Sequence, residues 1–205
     1  MSVNIGVLGM QGDVAENIAA TRAALAKSGL KGIVKQVKTP SQISNLDALI
    51  IPGGESTMIG QMSLVNGAIK TIKEKIQQGM PVFGICAGLI LLSKTTKDRV
   101  VGKMDQPLLD LLDVRVERNS FGRQRDSFEA EISAEPIGIA KSRGIFIRAP
   151  SIEGMGKGVE TISKFNEKVV AVKQGNILGV AFHPELTSDV SWHKYFVSMI
   201  KPKKK

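Results

Sequence analysis

The chain holds one cysteine and two histidines, so chemistry that needs a thiol or an imidazole has few places to happen. Cys86 lies in Gly84-Ile85-Cys86-Ala87-Gly88, between an apolar run of strand length and a second apolar run suited to a helix. A side chain placed there stands on a sharp strand-to-helix turn at the carboxyl end of a strand, with the first free helix amides aimed at whatever it attacks. The alternative is a small buried hydrophobe, which free cysteines commonly are. His183 ends the last apolar strand, in Phe182-His183-Pro184-Glu185-Leu186-Thr187. Pro184 fixes its own φ and pushes His183 towards extended backbone, so His183 and Glu185 point the same way. An imidazole beside a carboxylate is what a general base needs, because the carboxylate fixes the tautomer and stabilises the imidazolium. Thiol, base and orienting acid together are the parts for nucleophilic attack on a carbonyl carbon. His193, between Trp192 and Lys194 in a terminal helix, is expected to be a surface or capping histidine.

The elements that must carry these residues read as an α/β chain. Residues 3–8 form an apolar strand, and the loop at residues 9–13 ends in Asp13, an N-cap whose capping box Glu16 completes. A helix follows to Gly29, residues 33–37 form a second strand broken at Pro40-Ser41, and residues 47–52 form a third, continuously apolar strand. Strand, helix, strand and strand in this order imply βαβ units and a right-handed parallel sheet. Pro52-Gly53-Gly54-Glu55-Ser56-Thr57 then lies at the carboxyl end of that third strand. Two adjacent glycines let the backbone approach a ligand there, or simply make a tight turn with Ser56 as a helix cap. No Gly-Lys-Ser/Thr follows, so this is not a nucleotide-binding P-loop. Residues 59–78 supply one or two helices, 94–105 a polar loop, 114–118 a half-exposed strand, and 119–128 a polar, flexible stretch. Residues 144–150, 159–165, 169–172 and 177–182 read as further strands, the last three as antiparallel hairpins extending the sheet. Without repeats or a long linker, residues 1–200 are expected to be one domain and 201–205 a basic tail.

Composition narrows the classes. With 205 residues, 42% apolar and 23% charged, the chain is long enough to bury a full core and reads as an ordinary globular protein. No apolar run is long enough for a bilayer and no leader pattern opens the chain, so a cytoplasmic protein is expected, with no membrane partner. One cysteine excludes an intramolecular disulfide and a cysteine-based zinc site, and two histidines cannot build a multi-histidine centre, so neither metal nor cofactor is expected. The net charge of +9 suggests nucleic acid, but Lys201, Lys203, Lys204 and Lys205 carry four of those charges and aromatics make up only 4%. A solvated basic surface with no nucleic-acid role is the expectation, while docking to an acidic protein stays open. If the tail did bind nucleic acid, that binding would be salt-sensitive and lost on deleting residues 201–205.

Gly84-Ile85-Cys86-Ala87-Gly88 together with His183-Pro184-Glu185 resembles the class I, or triad, glutamine amidotransferases. Six blocks narrow the resemblance to the glutaminase subunits of pyridoxal phosphate synthase: residues 6–13, 52–57, 118–124, 127–129, 146–150 and 182–187. The family commonly has His where Asn17 stands, leaving the first helix's surface as a partner contact less certain, and Thr or Ser where Met58 stands. The resemblance implies a three-layer flavodoxin-like sandwich around a mixed, mostly parallel sheet, and hydrolysis of L-glutamine to glutamate and ammonia. Cys86 would be the nucleophile, His183 the base and Glu185 its orienter. Backbone amides of Ala87 and Gly54 are the natural oxyanion donors, each worth about 3 kcal/mol of barrier. By resemblance Gly54, Glu55, Ser56, Arg118, Ile147 and Arg148 bind glutamine, with Arg suited to the α-carboxylate and Glu55 or backbone carbonyls to the ammonium. The ammonia would pass to a (β/α)8-barrel synthase subunit, with Gln11 at that interface or supporting the oxyanion loop. The competing readings are a glutaminase for another acceptor, such as imidazole glycerol phosphate synthase, and a non-catalytic flavodoxin-like regulatory module.

Overall fold

Strand and helix alternate through the first half of the chain. The computed structural model describes residues 2–99, 101–121 and 127–201. It runs β1 (Ser2–Leu8), α1 (Val14–Lys27), β2 (Lys31–Val37), α2 (Pro40–Ser44), β3 (Ala48–Ile51), α3 (Ser56–Val65), α4 (Ala68–Gln77), β4 (Val82–Ile85) and α5 (Ala87–Leu92). Strands then dominate: β5 (Ser93–Asp98), β6 (Gly102–Lys103), β7 (Leu112–Arg118), β8 (Phe128–Ala134), β9 (Ile139–Phe146), β10 (Ser151–Met155), β11 (Glu160–Phe165), β12 (Lys168–Gln174) and β13 (Ile177–Val180), before helix α6 (Ser191–Ser198).

Every residue of β3, β4 and β13 is buried, as in strands covered on both faces of a parallel sheet. The main sheet follows the order β2-β1-β3-β4-β13-β12-β10-β7-β5-β6, with β11 on β12. From β2 to β13 all neighbours are parallel. From β13 through β12 and β10 to β7 they are antiparallel, extending the sheet as the hairpin pattern predicts. Consecutive residues of β4 define the layers. Phe83 packs its ring against His193 and Phe196 of α6, whereas a Cβ on Gly84 would run into Leu92 of α5. Side chains alternate across a strand, so α6 and α5 cover opposite faces and the sheet is the middle of three layers. The order β2-β1-β3 also makes β1 and β3 the point where the winding reverses. The loops after these two strands meet there, at the strands' carboxyl ends where such sheets bind ligands.

Several local expectations change. Pro40-Ser41 does not merely break β2: Pro40 opens α2, with Thr39 and Gln42 forming a capping box. The polar stretch read as a loop contains β5 and β6; Ser93, Thr96 and Asp98 of β5 are buried and the strand pairs with β7. The strand expected at 144–150 is β9, which starts at Ile139 and ends at Phe146; β8 and β9 pair as a separate ribbon. Residues 122–126, within the polar stretch and overlapping the 118–124 block of the resemblance, lie outside the described residues, as do 202–205 of the basic tail.

The few aromatic residues are concentrated. Phe121, Phe128, Phe146 and Phe165 pack together, Phe146 lies 5.5 Å from Phe182, and Phe182 meets Trp192 edge-on at 5.1 Å. The Trp192 indole N–H donates to Ser142 Oγ at 3.0 Å. This run ties the ribbon and α6 to the residue immediately before His183.

Candidate active site

Cys86 is built as its flanking runs predict. It follows β4, sits at the N-cap of α5, and has φ 48° and ψ −99°, a left-handed-side conformation that a non-glycine residue adopts only under constraint. Its N–H donates to Val180 O at 2.8 Å and its carbonyl accepts from Ile90 N–H at 3.1 Å, so strand and helix both hold the turn. Helix α5 sits tight on β3, since a Cβ on Gly88 would collide with Ile51 O. Small residues after the cysteine are therefore a packing requirement.

His183 follows β13 and its N–H donates to Ile145 O at 2.8 Å, bridging it to β9. The ring is buried, and its Nδ1 lies 2.9 Å from Glu185 Oε1 and 3.3 Å from Asp13 Oδ2. With Nδ1 occupied by carboxylates, Nε2 is the nitrogen left for the sulfur. Burial opposes charging of the ring, but the Cys86 sulfur, Asp13 and Glu185 outweigh it and push the His183 pKa up to about 12. The charged form of the imidazole is thereby favoured at its place beside the sulfur. Asp13, His183 and Glu185 offer one ligand atom each within 4.8 Å of one another, a spacing that a metal ion could also use. With His183 protonated, the same atoms form one donor and its acceptors.

A cleft beside Cys86 is lined by Gly54, Glu55, Ser56, Ile90, Arg118, Asn119, Ile147 and Arg148. All six residues assigned to glutamine by resemblance thus come together at the sulfur. Ile147 and Arg148 form the bend after β9, with Arg148 at φ 45°. Arg118, at the end of β7, reaches Glu55 Oε1 at 2.7 Å, Gln106 Oε1 at 3.2 Å and Thr57 Oγ1 at 3.3 Å. This pairing leaves about 40 Å³ free, far below the roughly 300 Å³ from which ligand pockets start, so Glu55 and Arg118 fill the cleft with each other. Ser56 is not the helix cap: that position is Glu55, and Ser56 Oγ donates to Gln106 Oε1 at 3.2 Å.

The loop after β1 grips the glycine loop. Gln11 Oε1 accepts the Glu55 N–H at 2.6 Å, and the Asp13 N–H donates to Gly53 O at 3.2 Å. Gly54 takes φ 150°, open to glycine alone in practice. Gln11 therefore supports the loop whose Gly54 amide was expected to face an oxyanion, while its own residue stays exposed.

Asp13, Gln106 and Asn119 were not anticipated. Asp13 read as a cap with Glu16, yet its side chain makes no capping bond; the carboxylate faces His183 instead. His193 is not at the surface. It is fully buried, with Nε2 3.2 Å from Asn17 Oδ1, and burial pushes its pKa down to about 4, against a smaller opposing effect of Asp189. Asn17 likewise faces inward rather than offering a surface contact on α1. These pairings join residues 176 apart in sequence, beyond the reach of any local pattern.

Residues 7–202 match the SNO glutamine amidotransferase family. The chain belongs to that family. Relatives named pyridoxal 5'-phosphate synthase subunit PdxT match it along its length. That of Nitrosopumilus maritimus is 56% identical over 204 residues and covers 100% of both chains. That of Thermococcus kodakarensis is 47% identical over 201 residues, covering 95% of this chain and 98% of the relative. A crystal structure of a glutamine amidotransferase, 39% identical, superposes with a TM-score of 0.83 over 96% of this chain and 98% of the other. A glutamine amidotransferase from Methylobacillus flagellatus shares the fold at 11% identity, with a TM-score of 0.63 over 100% of this chain and 97% of the other. The three layers and mixed sheet are those of the class I glutamine amidotransferases, and the protein is an amidotransferase enzyme. Among the described residues no helix is long and apolar enough to cross a membrane.

Proposed function

We propose that this chain hydrolyses L-glutamine to L-glutamate and ammonia at Cys86, and passes the ammonia to a (β/α)8-barrel synthase subunit that makes pyridoxal 5'-phosphate. The observation that carries the chemistry is the buried His183 imidazole, 2.9 Å from Glu185 and electrostatically tied to the Cys86 sulfur. His183 draws the proton from the Cys86 thiol, and the sulfur attacks the side-chain amide carbon of glutamine. The resulting oxyanion is met by the backbone amides of Ala87 and Gly54. His183 gives its proton to the departing nitrogen, releasing ammonia and leaving a γ-glutamyl thioester. The now neutral imidazole takes a proton from water, hydroxide cleaves the thioester, and glutamate leaves with Cys86 again a thiolate. Glu185 keeps the ring in the required tautomer throughout.

Substrate binding follows from the cleft. Arg118 or Arg148 pairs with the α-carboxylate, Glu55 with the α-ammonium, and Ser56 and Ile147 line the stem. The synthase partner is supported by the names of the full-length relatives. Gln11, exposed and bonded to the Glu55 amide, is the contact through which that partner reaches the oxyanion loop. The continuous sheet from β2 to β6 supports residues 1–200 as one catalytic domain. A reaction that depends on a reduced cysteine supports the cytoplasm as its place.

The test is Cys86→Ala in the complex with the synthase subunit. Ammonia release from glutamine should vanish while product still forms from added ammonium salt. Retention of glutamine hydrolysis by this variant would remove Cys86 from the reaction.

A further inference from the structure

We propose that Asp13 is a positioning residue for His183, its carboxylate sharing the Nδ1 proton with Glu185 and fixing the ring in the orientation that faces Cys86. The inference rests on the catalytic reading above and assigns a second carboxylate to the triad's imidazole.

Asp13 occupies the N-cap of α1, where an aspartate ordinarily accepts a hydrogen bond from the first helix amides. It makes no such bond. Its Oδ2 lies 3.3 Å from His183 Nδ1 instead, so the side chain has left its helix for the imidazole. The backbone is fixed for this purpose from two directions. The Asp13 N–H donates to Gly53 O at 3.2 Å, and the Asp13 carbonyl accepts from Asn17 N–H at 3.3 Å and Asn17 Nδ2 at 2.8 Å. Since Asn17 donates through Nδ2, its Oδ1 faces His193 as an acceptor, 3.2 Å from Nε2. A path of bonds therefore runs from α6 through Asn17 to Asp13 and His183. Space for the approach comes from Gly53, where any Cβ would strike His183 Cε1 and crowd Asp13 Oδ2.

The two carboxylates are not equivalent. Glu185 is wholly buried and its Oε2 has no hydrogen-bond partner among the described residues, whereas the Asp13 side chain is 36% exposed. Glu185 comes from the turn after His183 and Asp13 from the loop after β1, so the Nδ1–H is held from two elements. Rotation of the ring costs both contacts. The titratable groups that face the ring are Cys86 from the β4–α5 turn, Asp13 and Glu185, and the Asp13 carboxylate, 3.3 Å from Nδ1, favours the protonated ring.

The experiment uses the full chain with its synthase partner for kinetics and the full chain alone for titration. Asp13→Asn keeps the shape and removes the charge; Asp13→Ala removes both. In each, kcat for glutamine hydrolysis should fall about tenfold with KM nearly unchanged. In the Cys86→Ala background, where the thiolate no longer dominates, the NMR titration of His183 should move down by about one unit when Asp13→Asn is added. An unaltered kcat, a change confined to KM, or an unmoved His183 titration would each overturn the assignment. Should Asp13→Ala fail to fold, the isosteric Asp13→Asn decides alone. Absence of glutamine hydrolysis in the unmodified complex would sink the catalytic reading instead, and the titration would still report whether Asp13 acts on the ring.

Discussion

At the scale of single residues the two histidines pull the pH dependence of stability in opposite directions. His183 has a folded pKa of about 12, above its ordinary 6.5, so the native chain binds a proton there that the unfolded chain releases. Its contribution is complete below about pH 6.5 and is lost as the pH rises towards 12. His193 has a folded pKa of about 4. Between about 4 and 6.5 the unfolded chain binds the extra proton, so the stability that neutral His193 permits is present above 6.5 and lost as the pH falls through 4. That window corresponds to about 3 kcal/mol at most. Urea midpoints measured against pH should therefore fall on both sides of neutrality. Cys86→Ala should flatten the alkaline side, and His193→Gln, which retains a donor for Asn17 but does not titrate, should flatten the acid side. If His193→Gln leaves the acid slope unchanged, the acid loss arises elsewhere.

At the scale of elements, His183 is placed by what surrounds β13. Phe182 is fully buried between Phe146 and Trp192. Phe182→Ala should cost about 3–5 kcal/mol, read from denaturant unfolding, and should lower kcat because the following residue loses its anchor. A loss of stability with unchanged kcat would show that the bridge to Ile145 alone places the imidazole. The turn around Cys86 was legible in the sequence because small residues permit a strained turn; the pairing of His183 with Glu185 was legible too, but not its backbone, since Pro184 opens a 3-10 turn over Pro184–Leu186 instead of continuing an extended strand. The central strands were legible because double-sided burial writes continuous apolar runs. Strand β5 was not, since Ser-Lys-Thr-Thr-Lys-Asp owes its conformation to pairing with β7 rather than to its own composition. Asp13 was misread for a related reason. A local rule assigned it to a cap, and a partner 170 positions away claimed it instead.

At the scale of the molecule, the reversal of winding between β1 and β3 brings the Gln11 loop and the Gly53-Gly54 loop together over the nucleophile. Whatever docks on the exposed Gln11 side acts on both. The synthase subunit should raise glutaminase activity over that of the isolated chain, and Gln11→Leu should reduce that stimulation more than the basal rate. Equal losses in both rates would place Gln11 in the chemistry rather than in the coupling. The Glu55–Arg118 pair gives the same crevice a further property. On the proposed assignment Glu55 sets an internal counterfeit of the ligand's acid, a carboxylate, on Arg118. If Arg118 takes the substrate's α-carboxylate, that carboxylate competes with Glu55 for the guanidinium. Amides lacking an α-carboxylate should therefore be hydrolysed more slowly than glutamine, measured as kcat/KM on the two kinds of amide, because nothing in them rivals Glu55 at the arginine.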